Sequence, residues 1–228
     1  MKLSIIIPVF NEENTIKEII RRVGNAPLSI EKEIIVVNDG SRDNTANILR
    51  SLKGLFNFTF LEHQKNLGKG AAIKTGLGAA SGDFVIIQDA DLEYDPEDYT
   101  KLIIPLLQGK TEVVYGSRIL GKNKRGSWSF FWGGKFLTFL SNLLYGLKIT
   151  DESTCYKAFK KDLLVSLNLE SNGFEFCPEV TAKIGKRKIK IYEVPISYSA
   201  RSKGEGKKIK WKDGFIAIRT LIKYKFKK

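Results

Sequence analysis

The chain has 228 residues, 43% of them apolar and 11% aromatic, which is enough for a packed core and too much for a disordered or low-complexity chain. Its 38 lysines and arginines outnumber 25 acidic residues, and the whole excess of +13 lies in residues 183–228, where 16 basic residues meet 3 acidic ones. A neutral body with a basic C-terminal arm points to an anionic partner, and two cysteines (Cys155, Cys177) with one histidine (His63) exclude a disulfide scaffold or a histidine-rich metal site and fit a reducing, cytosolic setting.

The first residues lack the charged lead-in and cleavage site of a signal peptide. Residues 3–9 (LSIIIPV) form an isoleucine-rich run too short for a helix, so they read as a buried strand. Residues 13–23 carry Ile16, Ile19, Ile20 and Val23 at helical spacing. Residues 33–37 read as a strand running into the turn Asn38, Asp39, Gly40, Ser41, and 43–52 as a helix. Then come a strand at 58–62, a small-residue helix at 70–80, a strand at 83–87, a helix at 96–107 and a strand at 112–115. This alternation predicts a mostly parallel sheet covered by helices on both faces, with right-handed crossovers.

After Ser117 the rhythm changes. A polar, basic loop at 121–126 precedes Trp128, Trp132, Phe136, Phe139, Leu140, Leu143 and Leu147, which follow helical spacing. Gly133, Gly134, Lys135 and Asn142 interrupt that stretch, so it reads as interfacial or buried and not as a membrane span. Short helices at 162–169 and 179–184, one or two strands at 187–199 and a glycine-rich basic loop at 201–208 follow. Trp211, Phe215, Ile218, Ile222 and Phe226 close the chain at helical spacing with lysines between them. With no repeat and no linker, residues 1–228 read as one domain.

In open parallel sheets, ligands gather at the carboxyl ends of the strands. Three polar signals fall there: residues 8–12 (PVFNE), Asp39-Gly40-Ser41, and Asp89-Ala90-Asp91. Asp89 and Asp91, with Glu93 two further on, offer hard oxygen ligands of the kind that share Mg²⁺ or Mn²⁺ with substrate phosphates. The same residues also fit capped turns. Residues 66–70 (NLGKG) match neither a P-loop nor a dinucleotide fingerprint. A tight turn into a helix accounts for their glycines, and Lys69 is the residue that suggests more.

Taken in order, P-V-F-N-E at 8–12, N-D-G-S-R-D-N-T at 38–45, N-L-G-K-G at 66–70 and D-A-D at 89–91 resemble the family 2 glycosyltransferases. G-S-R at 116–118, D-E-S-T-C-Y-K at 151–157 and R-S-K-G-E-G-K at 201–207 resemble the branch of dolichol-phosphate mannosyltransferases and polyprenyl-phosphate sugar synthases. The chain departs from the family pattern at Asn38, Glu93 and Gly206. The resemblance implies a GT-A fold, with residues 1–117 binding a nucleotide sugar and 118–228 facing acceptor and membrane. It implies that Pro8, Phe10, Glu12 and Asp39 hold the nucleoside, with Lys69 and Ala90 near the nucleotide, and that Asp89, Asp91 and Glu93 hold Mg²⁺ or Mn²⁺. Arg118, Arg201, Lys203 and Lys207 would face donor or acceptor phosphates. The implied catalytic set is Asp91, Arg118, Arg201 and Asp151, the last as a base, a sugar-hydroxyl ligand or only a turn cap. The implied reaction is inverting transfer of a hexose to a polyprenyl or dolichyl phosphate, from GDP-mannose first and UDP-glucose second. A saccharide or protein acceptor is the alternative.

Elementary chemistry agrees with those roles. Cleavage between sugar and diphosphate builds negative charge on the leaving nucleotide, which a metal and arginines stabilise. A phosphate monoester is largely ionised near pH 7, so it needs positioning more than a base. The two aromatic stripes, with Lys122, Lys124 and Arg125 beside the first and lysines throughout the second, read as amphipathic helices on an anionic membrane. The expectation is a peripheral protein on the cytoplasmic side, with or without a membrane-anchoring partner. Packing of both stripes onto the sheet is the plainer alternative. A nucleic-acid module is disfavoured, because the aromatics lie on helical stripes and not on a stacking sheet face.

Overall fold

The N-terminal apolar run forms β1 (Lys2–Val9), and its length follows from its burial: Leu3, Ile5, Ile6 and Ile7 have no exposed surface. Such continuous runs mark strands covered on both faces, and each side chain so buried stabilises by roughly 1.5–3 kcal/mol. The computed structural model describes residues 1–121, 123, 128–201 and 211–227. From β1 the chain alternates through α1 (Ile16–Asn25), β2 (Glu31–Asn38), α2 (Thr45–Leu52), β3 (Thr59–Glu62), α3 (Lys69–Ala79) and β4 (Phe84–Ile87). A short turn of 3₁₀ helix (Pro96–Asp98) leads into α4 (Tyr99–Leu107) and β5 (Val113–Ser117). The later elements are α5 (Trp128–Tyr145), β6 (Lys157–Lys160), α6 (Lys161–Ser166), α7 (Phe176–Lys186), β7 (Ile191–Pro195) and α8 (Trp211–Phe226).

The seven strands lie in the order β3-β2-β1-β4-β6-β5-β7. Every pairing is parallel except those of β6, which runs against both β4 and β5. The α/β reading with a mostly parallel sheet therefore holds. The reversed strand was not foreseen: KAFK is four residues long and begins with a lysine. Lys157 is nevertheless fully buried, donates from Nζ to the Glu152 and Thr154 carbonyls and sits 4.5 Å from the Tyr115 ring centre.

Several helix starts differ from the sequence reading: α7 begins at Phe176, ahead of the expected 179, and α4 begins at Tyr99 after the 3₁₀ turn. Residues 13–15 are a turn ahead of α1, and 43–44 precede α2. The segment 187–199 supplies one sheet strand, β7, plus a lone bridge between Tyr94 and Tyr198. The small residues of α3 have a packing reason. A Cβ on Gly76 would lie 2.5 Å from Ile6 Cγ2, so α3 meets β1 at a distance only glycine permits.

Because β6 is reversed, its amino end shares one sheet edge with the carboxyl ends of the other strands. That edge collects Glu12, Asp39, Asp89, Asp91, Arg118 and Asp151, and the turn after β7 brings in Arg201. Lys122, Lys124, Arg125, Lys203, Gly206 and Lys207 lie outside the described residues.

Candidate active site

Asp39, at the end of β2, is 2% exposed and anchors the loop ahead of α3. Its carboxylate accepts from the backbone N–H of Leu67 (2.9 Å) and Gly68 (2.8 Å) and lies 2.7 Å from His63 Nδ1. His63 Nε2 in turn lies 2.9 Å from Thr75 Oγ1. The glycines of this loop serve close approach. Gly68 has φ +102°, and a Cβ on it would sit 2.4 Å from the Asn172 carbonyl oxygen. A Cβ on Gly70 would sit 2.5 Å from that of Ser171, and Ala71 N–H donates to Asn172 O at 3.0 Å. The loop is thus a turn docked on residues 171–173, and it carries Lys69 to the cavity.

The acidic turn after β4 is held from behind. Gln88 Oε1 accepts from the Tyr99 hydroxyl (2.5 Å) and the Tyr156 hydroxyl (2.7 Å), and its Nε2 donates to Asp89 O at 2.9 Å. Leu92 adopts a left-handed conformation (φ 61°), which a leucine accepts only at a cost. Lys69 Nζ lies 2.5 Å from Asp89 Oδ1. Burial alone would lower the Lys69 pKa, but Asp89 outweighs it and holds the ammonium well above its ordinary value. The Asp91 carboxyl is pushed up to about 7 by burial and by the Asp89 and Glu93 charges, against the pull of Arg201. Arg201 crosses the site: its Nε donates to Asp91 O (2.8 Å) and its guanidinium pairs with the Glu12 carboxylate (2.8 Å).

Glu93, expected as a third metal ligand, has both carboxylate oxygens hydrogen-bonded within the chain. Glu93 Oε2 accepts from the Tyr198 hydroxyl (3.0 Å) and Oε1 from Arg201 N–H (2.8 Å). Its carboxylate is a strut for the segment leading to Arg201. Among the described residues, no three His, Cys, Asp or Glu side chains form a ready metal cluster.

At the other end of the site, Asp151 accepts from Arg118 three times: from the backbone N–H (2.9 Å), Nε (2.8 Å) and a terminal guanidinium nitrogen (2.7 Å). Burial opposes the charge on Asp151, but Arg118 prevails and holds its pKa below the usual carboxylate value. Both Asp151 oxygens thus bond a fixed arginine, an arrangement that suits a positioning group more than a base. The Arg118 guanidinium also lies 5.2 Å from the Tyr198 ring centre. The sequence reading missed Glu193 on β7, which accepts from Thr150 N–H (2.7 Å) and Asp151 N–H (3.1 Å) and so fixes the turn that presents Asp151. Gln88 was missed for a similar reason, since both act on neighbours distant in sequence.

These ends meet in one open cavity of ≈ 970 Å³. Pro8, Phe10, Glu12, Asp39, Lys69, Asp89, Ala90, Asp91, Glu93, Arg118, Asp151 and Arg201 all line it. Its opposite wall is α5 and α8, through Phe131, Phe136, Leu137, Trp211, Phe215 and Ile218. Outside the cavity the same helices leave Trp132 at 62%, Phe139 at 61% and Phe226 at 77% exposure. Among the described residues no helix is long and apolar enough to cross a membrane.

The chain belongs to glycosyl transferase family 2, whose family model matches residues 4–167. It is 30% identical over 230 residues to a dolichol-phosphate mannosyltransferase of Pyrococcus furiosus, covering 98% of this chain and 63% of that protein. It is 32% identical over 212 residues to a UDP-N-acetylglucosamine–dolichyl-phosphate N-acetylglucosaminyltransferase of Methanococcus voltae, covering 84% of this chain and 83% of that protein. A low-salt glycan biosynthesis hexosyltransferase of Haloferax volcanii is 29% identical over 225 residues, and this chain spans 53% of its length. Among solved structures, glucosyl-3-phosphoglycerate synthase of Mycobacterium tuberculosis, in complex with Mn²⁺, UDP and phosphoglyceric acid, superposes with a TM-score of 0.71. That match covers 98% of this chain and 76% of that one at 21% identity. The fold is the GT-A α/β fold.

Proposed function

We propose that the protein is an inverting hexosyltransferase that moves a sugar from a nucleotide sugar to a polyprenyl or dolichyl phosphate at a membrane surface. The observation that supports this most is the single cavity. Its sheet-edge floor holds Asp89, Asp91, Lys69 and Arg201, and its far wall is built from helices with exposed aromatics. The donor's diphosphate suits the floor, and the wall suits the prenyl chain of an acceptor whose phosphate reaches Arg118. The dolichyl-phosphate relatives favour the same acceptor.

The residues present fit a divalent cation. Asp89 and Asp91 offer hard oxygens, and the Asp91 carboxyl is pushed up to about 7 by burial first and then by its Asp89 and Glu93 neighbours, a setting in which a bound cation would favour its charged form. Mg²⁺ is commonly held by one or two carboxylates together with substrate phosphates, so two aspartates suffice without Glu93. When bound, Mg²⁺ or Mn²⁺ would neutralise charge on the departing diphosphate. The chain's own part is positional. Arg118, fixed by Asp151, faces the cavity and orients the acceptor phosphate, while Lys69 and Arg201 face the donor diphosphate. An acceptor phosphate oxygen attacks the anomeric carbon from the side opposite the diphosphate. The carbon–oxygen bond to the diphosphate breaks, and its electron pair leaves with the nucleoside diphosphate. No base is required of Asp151, since the attacking phosphate is already ionised.

The exposed aromatics of α5 and α8 would sit at headgroup depth, with Lys223, Lys225 and Lys227 near anionic lipid. On this reading the described part of the chain is peripheral, and we place it on the cytoplasmic side, with or without an anchoring partner. GDP-mannose is the favoured donor from the mannosyltransferase relative, and a UDP-sugar is second from the other relatives. The test offers labelled GDP-mannose and UDP-glucose with a polyprenyl phosphate in detergent and Mg²⁺ or Mn²⁺, with EDTA as control. Metal-dependent label in the organic phase is expected. Its absence, with nucleotide-sugar binding intact, would move the acceptor to a saccharide or protein.

A further inference from the structure

The acidic turn already carries a cation of its own. Lys69 Nζ is 2.5 Å from Asp89 Oδ1, within a cavity otherwise open to ligand. The backbone on either side of Lys69 cannot withdraw. Gly68 and Gly70 are each pressed so closely on residues 171–172 that an added Cβ would collide, and Ala71 is hydrogen-bonded to Asn172 O. The four-carbon stem of Lys69 is the movable part, and besides Asp89 its ammonium reaches Cys155 Sγ at 3.6 Å, a weak acceptor. A fixed base with a mobile charged head suits a charge that changes partner.

We propose that Lys69 is a resident counter-ion for Asp89, which keeps divalent metal off the acidic turn until a nucleoside diphosphate arrives to take over the ammonium. The inference rests on the metal role of Asp89 and Asp91 given above and adds an order of binding to it. Without nucleotide, an incoming dication must displace the ammonium or sit beside it, and like charges at contact distance repel strongly in a partly desolvated site. With nucleotide, the diphosphate supplies acceptors for both cations. The two ligands then enhance each other's binding by the same factor, as linkage requires.

The experiment titrates Mn²⁺ into the protein and reads free Mn²⁺ by electron paramagnetic resonance, alone and with saturating GDP or UDP. Wild type is expected to bind Mn²⁺ weakly alone and far more tightly with nucleotide. Lys69→Met is expected to bind Mn²⁺ alone at least about tenfold more tightly than wild type, with the gain from nucleotide reduced by a similar factor. Lys69→Arg, which keeps the charge, should stay near wild type. Lys69→Gln repeats the neutral test with a hydrogen-bonding side chain, and circular dichroism confirms folding of each variant. Equal Mn²⁺ affinity of wild type and both neutral variants without nucleotide would overturn the inference and leave the metal role standing. No Mn²⁺ binding by any of these proteins, with or without nucleotide, would overturn the metal role and the inference together.

Discussion

Along the sheet edge, Asp39, Gln88, Glu93, Asp151 and Glu193 each accept two or more hydrogen bonds from neighbouring segments. Across the same cavity, α5 and α8 meet through side chains such as Leu137, Leu140, Leu144 and Leu221, and turn Trp132, Phe139 and Phe226 outward at more than 60% exposure. The first region is cross-tied by directional bonds and includes a left-handed leucine. The second is held by non-directional packing and leaves apolar surface in place. A floor of that kind keeps charged groups aimed without reorganisation, which is what stabilising a leaving diphosphate requires. A wall of that kind gains most in a medium less polar than water.

The largest expected break is Asp91→Ala on the floor. Transfer should fall by about 10³-fold or more, because the variant loses a carboxylate proposed to hold the metal, while its local tie, the hydrogen bond from Glu93 N–H, is long at 3.2 Å. Its urea midpoint should stay at or above that of wild type, since a repelling carboxylate has been removed. Retained transfer would remove the metal role. Asp151→Asn attacks the floor differently by leaving Arg118 without its counter-charge. A stability loss of about 3–5 kcal/mol in urea is expected.

Glu179, with a side chain that has no exposed surface, tests the floor through pH. Burial resists its charge, but Lys183 and the Glu170 and Ser171 N–H groups bring its pKa down to about 2 from 4.5. A depressed carboxylate contributes stability above its unfolded pKa, and that contribution is lost as pH falls from about 4.5 towards 2. Glu179→Gln should cost about 3 kcal/mol near neutrality and flatten the acid limb of the stability curve, measured by urea melts across that range. An unchanged acid limb would deny the loop at 170–173 its carboxylate anchor.

The wall should break last and least. Replacing Trp132 and Phe226 with serine is expected to weaken binding to anionic liposomes about tenfold or more and to leave nucleotide affinity and urea midpoint near wild type. Liposome binding equal to wild type would return both helices to a purely packing role.

The floor was largely legible in the sequence, because β1, β2 and β4 are short apolar runs ending in polar residues, and strand ends converge. The hydrogen bonds of Glu93 were not legible, since a spacing of two simply continues the D-x-D pattern. The left-handed turn at Leu92 interrupts that alternation and sends Glu93 to Tyr198 and Arg201. β6 was hidden because a buried lysine looks polar until the Tyr115 ring and two carbonyls are seen around it. Gln88 and Glu193 carried no signal at all, as their partners lie far along the chain. The aromatic stripes showed helices, but spacing alone does not say which face is left exposed.

The most direct measurement compares transfer to one polyprenyl phosphate in anionic vesicles with transfer to a short, water-soluble prenyl phosphate, for wild type and for the Trp132→Ser, Phe226→Ser double variant. The account predicts that the variant loses most of its rate on vesicles and keeps its rate on the soluble acceptor. An equal loss on both acceptors, or none on either, would contradict the division between a phosphate-handling floor and a membrane-seeking wall.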